Sequence, residues 1–235
     1  MKSLLKYFKA IVLMMALLVV SSSYGQGYWG TWNNFNILSH VNKNLSFYFE
    51  GQVRATKLVK NYNYYEMNLS AGYTIAPKTE VQFGLGKIET LNPEGFFKRP
   101  EQNAESRIWE QISFANAVGI VKMDHRYRIE QQFTTGGYHN RFRYRLNFNV
   151  PLLKKGETST LYFNTSDEIF LRDKDPLFNQ NRLYIGAGCP VTKRLSVQAG
   201  WMRVGEQSAQ HIIHNRNFLL TSLISDLSFK KKEHL

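Results

Sequence analysis

The chain has 235 residues, a formal net charge of +12, and 43% hydrophobic and 14% aromatic residues. Beyond the N-terminus no apolar run approaches the ~20 residues that a membrane helix needs, which excludes a helical membrane protein. The arginines alternate with aromatic residues instead of forming a basic helix or a zinc module, so the positive charge does not indicate nucleic-acid binding.

The N-terminus predicts a secretory signal peptide over residues 1–25. Lysines precede a short apolar core at residues 10–20, and a run of small residues follows it. A positive region, a short apolar core and small residues before a cleavage point are the marks of such a peptide. We expect cleavage after Gly25, which makes the protein an exported one.

The exported part, residues 26–229, is predicted to be one domain, followed by a basic tail at residues 230–235. The single cysteine, Cys189, cannot form an internal disulfide. The stability of the domain must therefore come from packing and strand pairing. Cys189 falls on the apolar face of its segment, and we interpret it as a small hydrophobic side chain.

One pattern repeats along the exported part: a strand-like segment, a tight turn, another segment and a longer polar loop. Strands are predicted at residues 28–39, 45–56, 65–75, 81–86, 107–114, 121–133, 141–150, 161–171, 182–189, 195–201 and 215–229. Short turns are predicted at residues 42–44, 76–79, 152–158 and 190–193. Longer loops are predicted at residues 57–63, 89–104, 172–180 and 204–213.

The two strands predicted at residues 121–133 and 141–150 show the alternation most clearly. In the second strand one face is apolar and the other is basic, with Phe142, Tyr144 and Leu146 opposed to Arg141, Arg143 and Arg145. A helix of period 3.6 would scatter these charges around its circumference, so the period of two predicts a strand. A charged strand face points to water in a soluble sandwich and into the lumen in a transmembrane barrel.

Strand length, connections and aromatic residues favour the barrel. The longer segments run to about ten residues or more, which suits the 9–11 tilted residues that cross a bilayer better than the five or six of soluble sheets. The alternation of short turns with longer loops is typical of outer-membrane barrels. Closure also removes exposed strand edges. Aromatic residues near the predicted strand ends suggest interfacial girdles: Trp29, Trp32, Tyr64, Tyr65, Tyr73, Tyr127, Phe133 and Trp201.

We therefore predict an all-β fold in the cell outer membrane of a Gram-negative organism. The fold is a single antiparallel transmembrane β-barrel of 10–12 strands, with short periplasmic turns and longer extracellular loops. Eleven strands can be counted, but barrels of this class have an even number, which favours ten or twelve. A periplasmic sandwich is the alternative, because four polar side chains fall on the nominal lipid face: Glu110, His125, Gln131 and Asp167.

Four motifs carry a family resemblance: HRYRIEQQF at residues 125–133, RFRYRL at 141–146, DEIF at 167–170 and NQNRL at 179–183. Together they make the chain similar to the family catalogued as domain of unknown function 2490, exported barrels common in Bacteroidota. The chain has Gln132 where the family is expected to favour Arg. The resemblance implies an outer-membrane barrel over essentially the whole exported part, and it supplies no agreed activity or catalytic residues.

The alternation predicts a charged lumen. Its candidate site residues are Glu50, Arg54, Arg107, Arg126, Arg128, Glu130, Arg141, Arg143, Arg145, Glu168 and Arg182, with Glu66, Lys122 and Asp124 on the same faces. The first interpretation is a structural or narrow-pore, porin-like barrel whose charges pair across the lumen, Glu130 with Arg143 or Arg145 and Glu168 with Arg182. The alternative is an anion-selective channel for acidic solutes, because the positive residues outnumber the negative ones.

A third possibility is an outer-membrane enzyme that modifies lipids. His139, Ser166 and Glu168 could serve, but no spacing makes them a triad, and the pair His211 and His214 is a weak metal signal. We therefore expect no enzyme activity, cofactor or metal. The expected partners are outer-membrane lipids and lipopolysaccharide, the barrel-assembly machinery during insertion, and acidic small solutes, with no nucleic acid.

Overall fold

The computed structural model describes residues 29–155 and 158–227. The predicted signal peptide at residues 1–25 and the predicted basic tail at residues 230–235 lie outside the described residues. The described residues contain no helix long and apolar enough to cross a membrane.

The described residues form eleven β-strands, as expected from the period-two alternation. The strands are β1 (Trp29–His40), β2 (Leu45–Lys57), β3 (Lys60–Ala76), β4 (Thr79–Asn92), β5 (Lys98–Val118), β6 (Val121–Thr134), β7 (Gly137–Lys155), β8 (Thr158–Arg172), β9 (Phe178–Pro190), β10 (Leu195–Gln207) and β11 (Ile213–Asp226). They close into a single barrel in which each strand pairs with its neighbours in sequence and β1 pairs with β11. The closed barrel confirms the predicted all-β fold and single barrel, and it excludes the sandwich.

The strand number corrects one expectation. Eleven lies within the predicted range of 10–12, but the preference for an even number was wrong. With an odd number the first and last strands run in the same direction, so β1 and β11 pair in parallel, with Trp29 opposite Asn217 and Leu38 opposite Asp226. The barrel is therefore antiparallel at every seam except this one, where the hydrogen bonds are slanted instead of perpendicular.

The two ends of the barrel differ less than predicted. We call the end with connections 41–44, 77–78, 119–120 and 191–194 the turn end, and the end with connections 58–59, 93–97, 135–136, 173–177 and 208–212 the loop end. Two loop-end connections have only two residues, so the predicted strict alternation of short turns and long loops was wrong. The polar segments at residues 57–63 and 89–104 belong largely to strands, because backbone pairing continues through them with register shifts.

The outer wall of the barrel is apolar. Outward side chains of the strands expose large hydrophobic groups to the surroundings, among them Phe47, Met67, Leu69, Phe83, Leu85, Tyr127, Ile129, Phe142, Leu219 and Leu223. Glu110 and Asp167 lie exposed on this wall, as the alternation predicted. The outward His125 stacks on Phe114 at 4.6 Å between ring centroids and contacts the Tyr144 hydroxyl through Nδ1 at 3.0 Å.

Two of the predicted girdle aromatics lie inside the barrel instead. Trp32 is only 2% exposed and belongs to an apolar cluster with Tyr184, Val204, Phe218 and Leu220 on the side of the lumen formed by β1 and β9–β11. Tyr64 also faces inward, where its hydroxyl donates to Glu66 Oε2 at 2.5 Å. Both residues have even numbers, and the even-numbered residues of their strands point inward. The alternation along the strand therefore decides which way they point, and nearness to a strand end does not.

A glycine on β4 makes room for an inward tryptophan. A Cβ on Gly84 would lie 2.2 Å from Cζ2 of Trp109, which is itself 2% exposed. We expect Gly84→Ala to lower the free energy of unfolding by about 1–3 kcal/mol, the usual cost of overpacking. Urea denaturation of the refolded barrel would measure it. Gly51→Ala is the control, since its Cβ would meet Phe49 at an ordinary 3.5 Å; equal stability of both variants would contradict the tight packing.

Candidate functional site: an arginine–glutamate network in the lumen

All eleven predicted lumen residues face the interior, and most of them lie in the middle or the loop-end half of their strands. They come from β2 (Glu50, Arg54), β5 (Arg107), β6 (Arg126, Arg128, Glu130), β7 (Arg141, Arg143, Arg145), β8 (Glu168) and β9 (Arg182). Alternation in a strand sends every second side chain to one face, which is why these residues converge from distant parts of the chain.

Glu130 is the centre of the network. Its side chain is fully buried, and four arginine side chains surround its carboxylate. Arg141 donates to Oε2 from Nε at 2.8 Å, and Arg143 donates to Oε1. Arg107 and Arg128 lie 3.5 and 3.6 Å from Oε1. The predicted pairing of Glu130 with Arg143 is confirmed, and the three other arginines were not predicted as its partners.

Glu168 forms the second centre. Arg126 contacts Oε1 at 2.6 Å and Arg143 contacts the same oxygen at 2.8 Å. The predicted pair of Glu168 with Arg182 was wrong, although the two residues lie opposite each other in the register. The carboxylate turns toward the guanidinium groups of β6 and β7, while Arg182 donates from Nε to Gln180 Oε1 at 2.8 Å.

Two further glutamates complete the network, and neither was among the predicted site residues. Glu66 accepts from Arg54 at 3.1 Å and from Arg107 at 3.4 Å, and Arg107 also contacts Glu105 at 2.6 Å. The alternation already placed Glu66 on an inward face, although the set of predicted site residues left it out. Glu105 falls just before the predicted start of its strand, which actually begins at Lys98. Alternating acid and base thus connects β2 to β8.

Inward aromatic rings support the guanidinium groups that have few carboxylate contacts. Arg128 lies over Trp109 at 3.8 Å, and Arg182 lies over the fully buried Phe170 at 4.4 Å. Arg54 lies 3.4 Å from the ring centroid of Trp32. Such cation–π contacts contribute about 0.5–2 kcal/mol, the more so when water is excluded. The rings therefore help to hold cations in the lumen.

We define the lumen network as eight arginines (54, 107, 126, 128, 141, 143, 145 and 182) and five glutamates (50, 66, 105, 130 and 168). The network carries more positive than negative charge by this count. Eleven strands spaced about 4.8 Å apart and tilted about 40° give a backbone diameter of about 22 Å. Arginine side chains from facing walls extend into that width, so the network narrows the lumen.

A cavity of about 1420 Å³ extends on both sides of the network. At the loop end its lining includes His139 and Lys174. Toward the turn end it continues into what we call the vestibule, which is lined by amides and hydroxyls together with the carboxylates of Glu80 and Asp124. The amides and hydroxyls are those of Tyr48, Gln82, Gln111, Asn147, Asn149, Asn164, Ser166 and Gln198. Many of these groups bond to one another, such as Asn164 Nδ2 to Asn147 Oδ1 at 3.0 Å. The arginine-rich network thus borders a polar vestibule that contains two carboxylates.

The residues considered for enzyme chemistry do not converge. Ser166 lies opposite Asn147, eight residues along β7 from His139, which separates them by about 26 Å at 3.3 Å per residue. His211 contacts Asp175 at 3.1 Å in exposed loops. Among residues 29–155 and 158–227, no group of three or more His, Cys, Asp or Glu side chains is placed to hold a metal ion.

A family model described as "Protein of unknown function (DUF2490)" matches residues 29–215. The match begins with β1, ends within β11 and contains all thirteen residues of the lumen network. No curated protein matches the chain.

Proposed function

The chain belongs to the DUF2490 family, whose description assigns no activity, and we propose from the barrel itself that it forms a narrow, positively charged pore in the outer membrane. The observation that carries the proposal is a cavity extending to both sides of a network in which arginines outnumber glutamates. A lumen with an excess of one sign of charge concentrates ions of the other sign and lets them pass more readily. Small acidic solutes are therefore the class of substrate that we propose.

Membrane placement is supported by the apolar outer wall. Fully burying one large apolar side chain contributes about 1.5–3 kcal/mol, so leaving a whole ring of them in water would be unfavourable. All eleven strands are at least 12 residues long, enough to cross the apolar layer of a bilayer. Asp167 on this wall accepts from Asn181 Nδ2 at 2.6 Å, which moderates the cost of a carboxylate there.

We predict that Leu69→Arg destabilises the barrel in a lipid bilayer by about 2–4 kcal/mol, the cost of a cation at the bilayer midplane. Leu69 lies on the outer wall of β3 and is 59% exposed in the isolated barrel. Leu58→Arg is the matched control, because Leu58 is similarly exposed, at 52%, in a loop-end turn. Urea titrations of the protein refolded into vesicles would compare them. Equal stability of the two variants would contradict the proposed membrane placement.

The pore itself is tested in planar lipid bilayers. Purified protein is expected to give a small, steady conductance, and the reversal potential in a salt gradient should show a preference for anions. Heat-modifiable migration on a gel confirms that the inserted protein is a folded barrel. A folded barrel without conductance would overturn the pore and leave a structural barrel braced by its ion pairs, whereas a cation preference would overturn the role of the arginines.

The proposal places lipids and lipopolysaccharide around the outer wall and gives the barrel-assembly machinery the task of insertion. It includes no enzymatic activity and no cofactor. The separation of His139 from Ser166 supports this choice over a lipid-modifying enzyme, since a nucleophile and its base must lie within hydrogen-bond reach.

A further inference from the structure

Four arginines of the lumen network form a compact block on two adjacent strands. Arg126 lies opposite Arg145, and Arg128 lies opposite Arg143, in the register between β6 and β7. Opposite side chains in an antiparallel pair have Cβ atoms about 4.5–5.5 Å apart, and like charges in that position destabilise a sheet. We call these residues the arginine block. The arginine block can be stable only if negative charge from other residues or from a ligand lies close to it.

Three members of the block receive that charge from the protein. Arg143 contacts both Glu130 and Glu168, and Arg126 contacts Glu168 at 2.6 Å. Arg128 lies 3.6 Å from Glu130, donates from Nε to Gln111 at 2.9 Å and lies over a tryptophan ring. The two buried carboxylates are therefore used by the loop-end side of the block and by Arg126.

Arg145 is the exception. Among the described residues, no carboxylate oxygen lies within 4 Å of its guanidinium group, and its Nε is buried without a hydrogen-bond partner. The Nε of the neighbouring Arg126 is buried in the same condition. A buried donor without a partner costs about 1–3 kcal/mol, and more when it is charged. The turn-end edge of the block thus presents unused positive charge and unused N–H groups.

The surroundings of Arg145 open toward the vestibule. The next inward positions in that direction are Asp124 on β6, Asn147 on β7 and Ser166 on β8. They lie side by side in the register and line the cavity together with Arg145. Asn147 Nδ2 donates to Asp124 Oδ2 at 3.2 Å, which leaves the Ser166 hydroxyl beside the guanidinium group as a donor to the oxygens of an anion. A guanidinium fork matches the two oxygens of a carboxylate or phosphate better than it matches a spherical halide.

We propose that Arg145, with Arg126 across the hairpin, binds one oxyanion, a carboxylate or a phosphate, that arrives through the vestibule. The site adds to the proposed function a defined binding position for the passing anion. It depends on the proposed pore only for the path by which the anion arrives. Binding itself depends on the folded lumen alone. It can therefore be measured without a membrane.

Isothermal titration of the folded, detergent-solubilised chain tests the site, with inorganic phosphate in one series and acetate in another, both at constant ionic strength. We expect saturable binding of one anion per barrel, and the comparison of the two series identifies the preferred oxyanion. Arg145→Gln should weaken binding at least tenfold. Arg145→Lys, which keeps the charge but loses the fork, should weaken it less. Arg203→Gln removes the same charge outside the lumen, where Arg203 bonds to Asn215 at 3.0 Å, and should bind normally.

The absence of saturable binding to either anion would overturn the site, and so would unchanged affinity in Arg145→Gln. Heat-modifiable migration shows which variants are folded, and Arg145→Lys keeps the comparison informative if the glutamine variant does not fold. Binding without conductance would overturn the pore and leave the site. Conductance without binding would overturn the site and leave the pore.

Discussion

Replacing Glu130 with Gln is expected to lower the free energy of unfolding of the barrel by about 3–5 kcal/mol, the range for breaking a buried ion pair by removing one partner. Glu130 is fully buried, and its carboxylate is shared by Arg107, Arg128, Arg141 and Arg143. A neutral amide of the same size keeps the packing but leaves these guanidinium groups to repel one another. Urea titration in vesicles, followed by the gel mobility of the folded form, measures the loss.

Two comparisons separate this effect from a general loss of charge. Glu94→Gln removes a carboxylate that is exposed in a loop-end connection, outside the membrane-facing wall, and it should change the stability by less than about 0.5 kcal/mol, as surface substitutions usually do. The double variant Glu130→Gln/Arg141→Gln removes one of the uncompensated cations and should be more stable than Glu130→Gln alone, because residues in one network are coupled. A Glu130→Gln protein as stable as Glu94→Gln would contradict the central role of Glu130.

Reversing charges in the network is expected to reverse the ion preference of the pore. With Arg145→Glu the lumen network has seven arginines and six glutamates, and the anion preference should nearly vanish. With Arg145→Glu and Arg182→Glu together the glutamates outnumber the arginines, and the pore should prefer cations. Two unit charges about 4 Å apart interact by about 4 kcal/mol at an effective dielectric constant of 20. A tenfold change in the permeability ratio corresponds to about 1.4 kcal/mol, well within that range.

Reversal potentials in a salt gradient measure this change, with each variant checked first for heat-modifiable migration. Arg203→Glu is the matched control, since it introduces the same charge change on the outside of β10. An anion preference that survives the double reversal would show that the network does not line the route of the ions. Higher salt should reduce the difference between variants, because mobile ions screen the fixed charges.

The inward face of the network could be predicted from the sequence because period two is a geometric property of any strand. Arg141, Arg143 and Arg145 alternate with apolar residues, and this pattern alone decides which side they occupy. Parity also decides the position of Trp32, whereas the rule that aromatic residues near strand ends form girdles failed for it. The side of the barrel wall to which a side chain points is therefore a local property that each strand encodes by itself.

Partner choice was not predictable in the same way. Glu168 lies opposite both Arg145 and Arg182 in the registers with its two neighbouring strands, yet its carboxylate contacts Arg126 and Arg143. Which arginine contacts Glu168 depends on the rotamers that several long side chains adopt together in a crowded lumen. These side chains come from strands that are far apart in sequence. The ends of the strands were missed for a related reason. Polar residues such as Glu105 belong to a strand because the adjacent strand β6 extends far enough to pair with them.

The parallel seam between β1 and β11 has a consequence for the orientation of the polypeptide. Because the number of strands is odd, β1 starts at the loop end with Trp29 and β11 finishes at the turn end with Asp226. In a barrel that crosses a bilayer these two residues face different compartments. Epitopes fused next to them would then be reached by antibody or protease from opposite sides of the membrane, whereas a barrel with an even number of strands would present both to the same side.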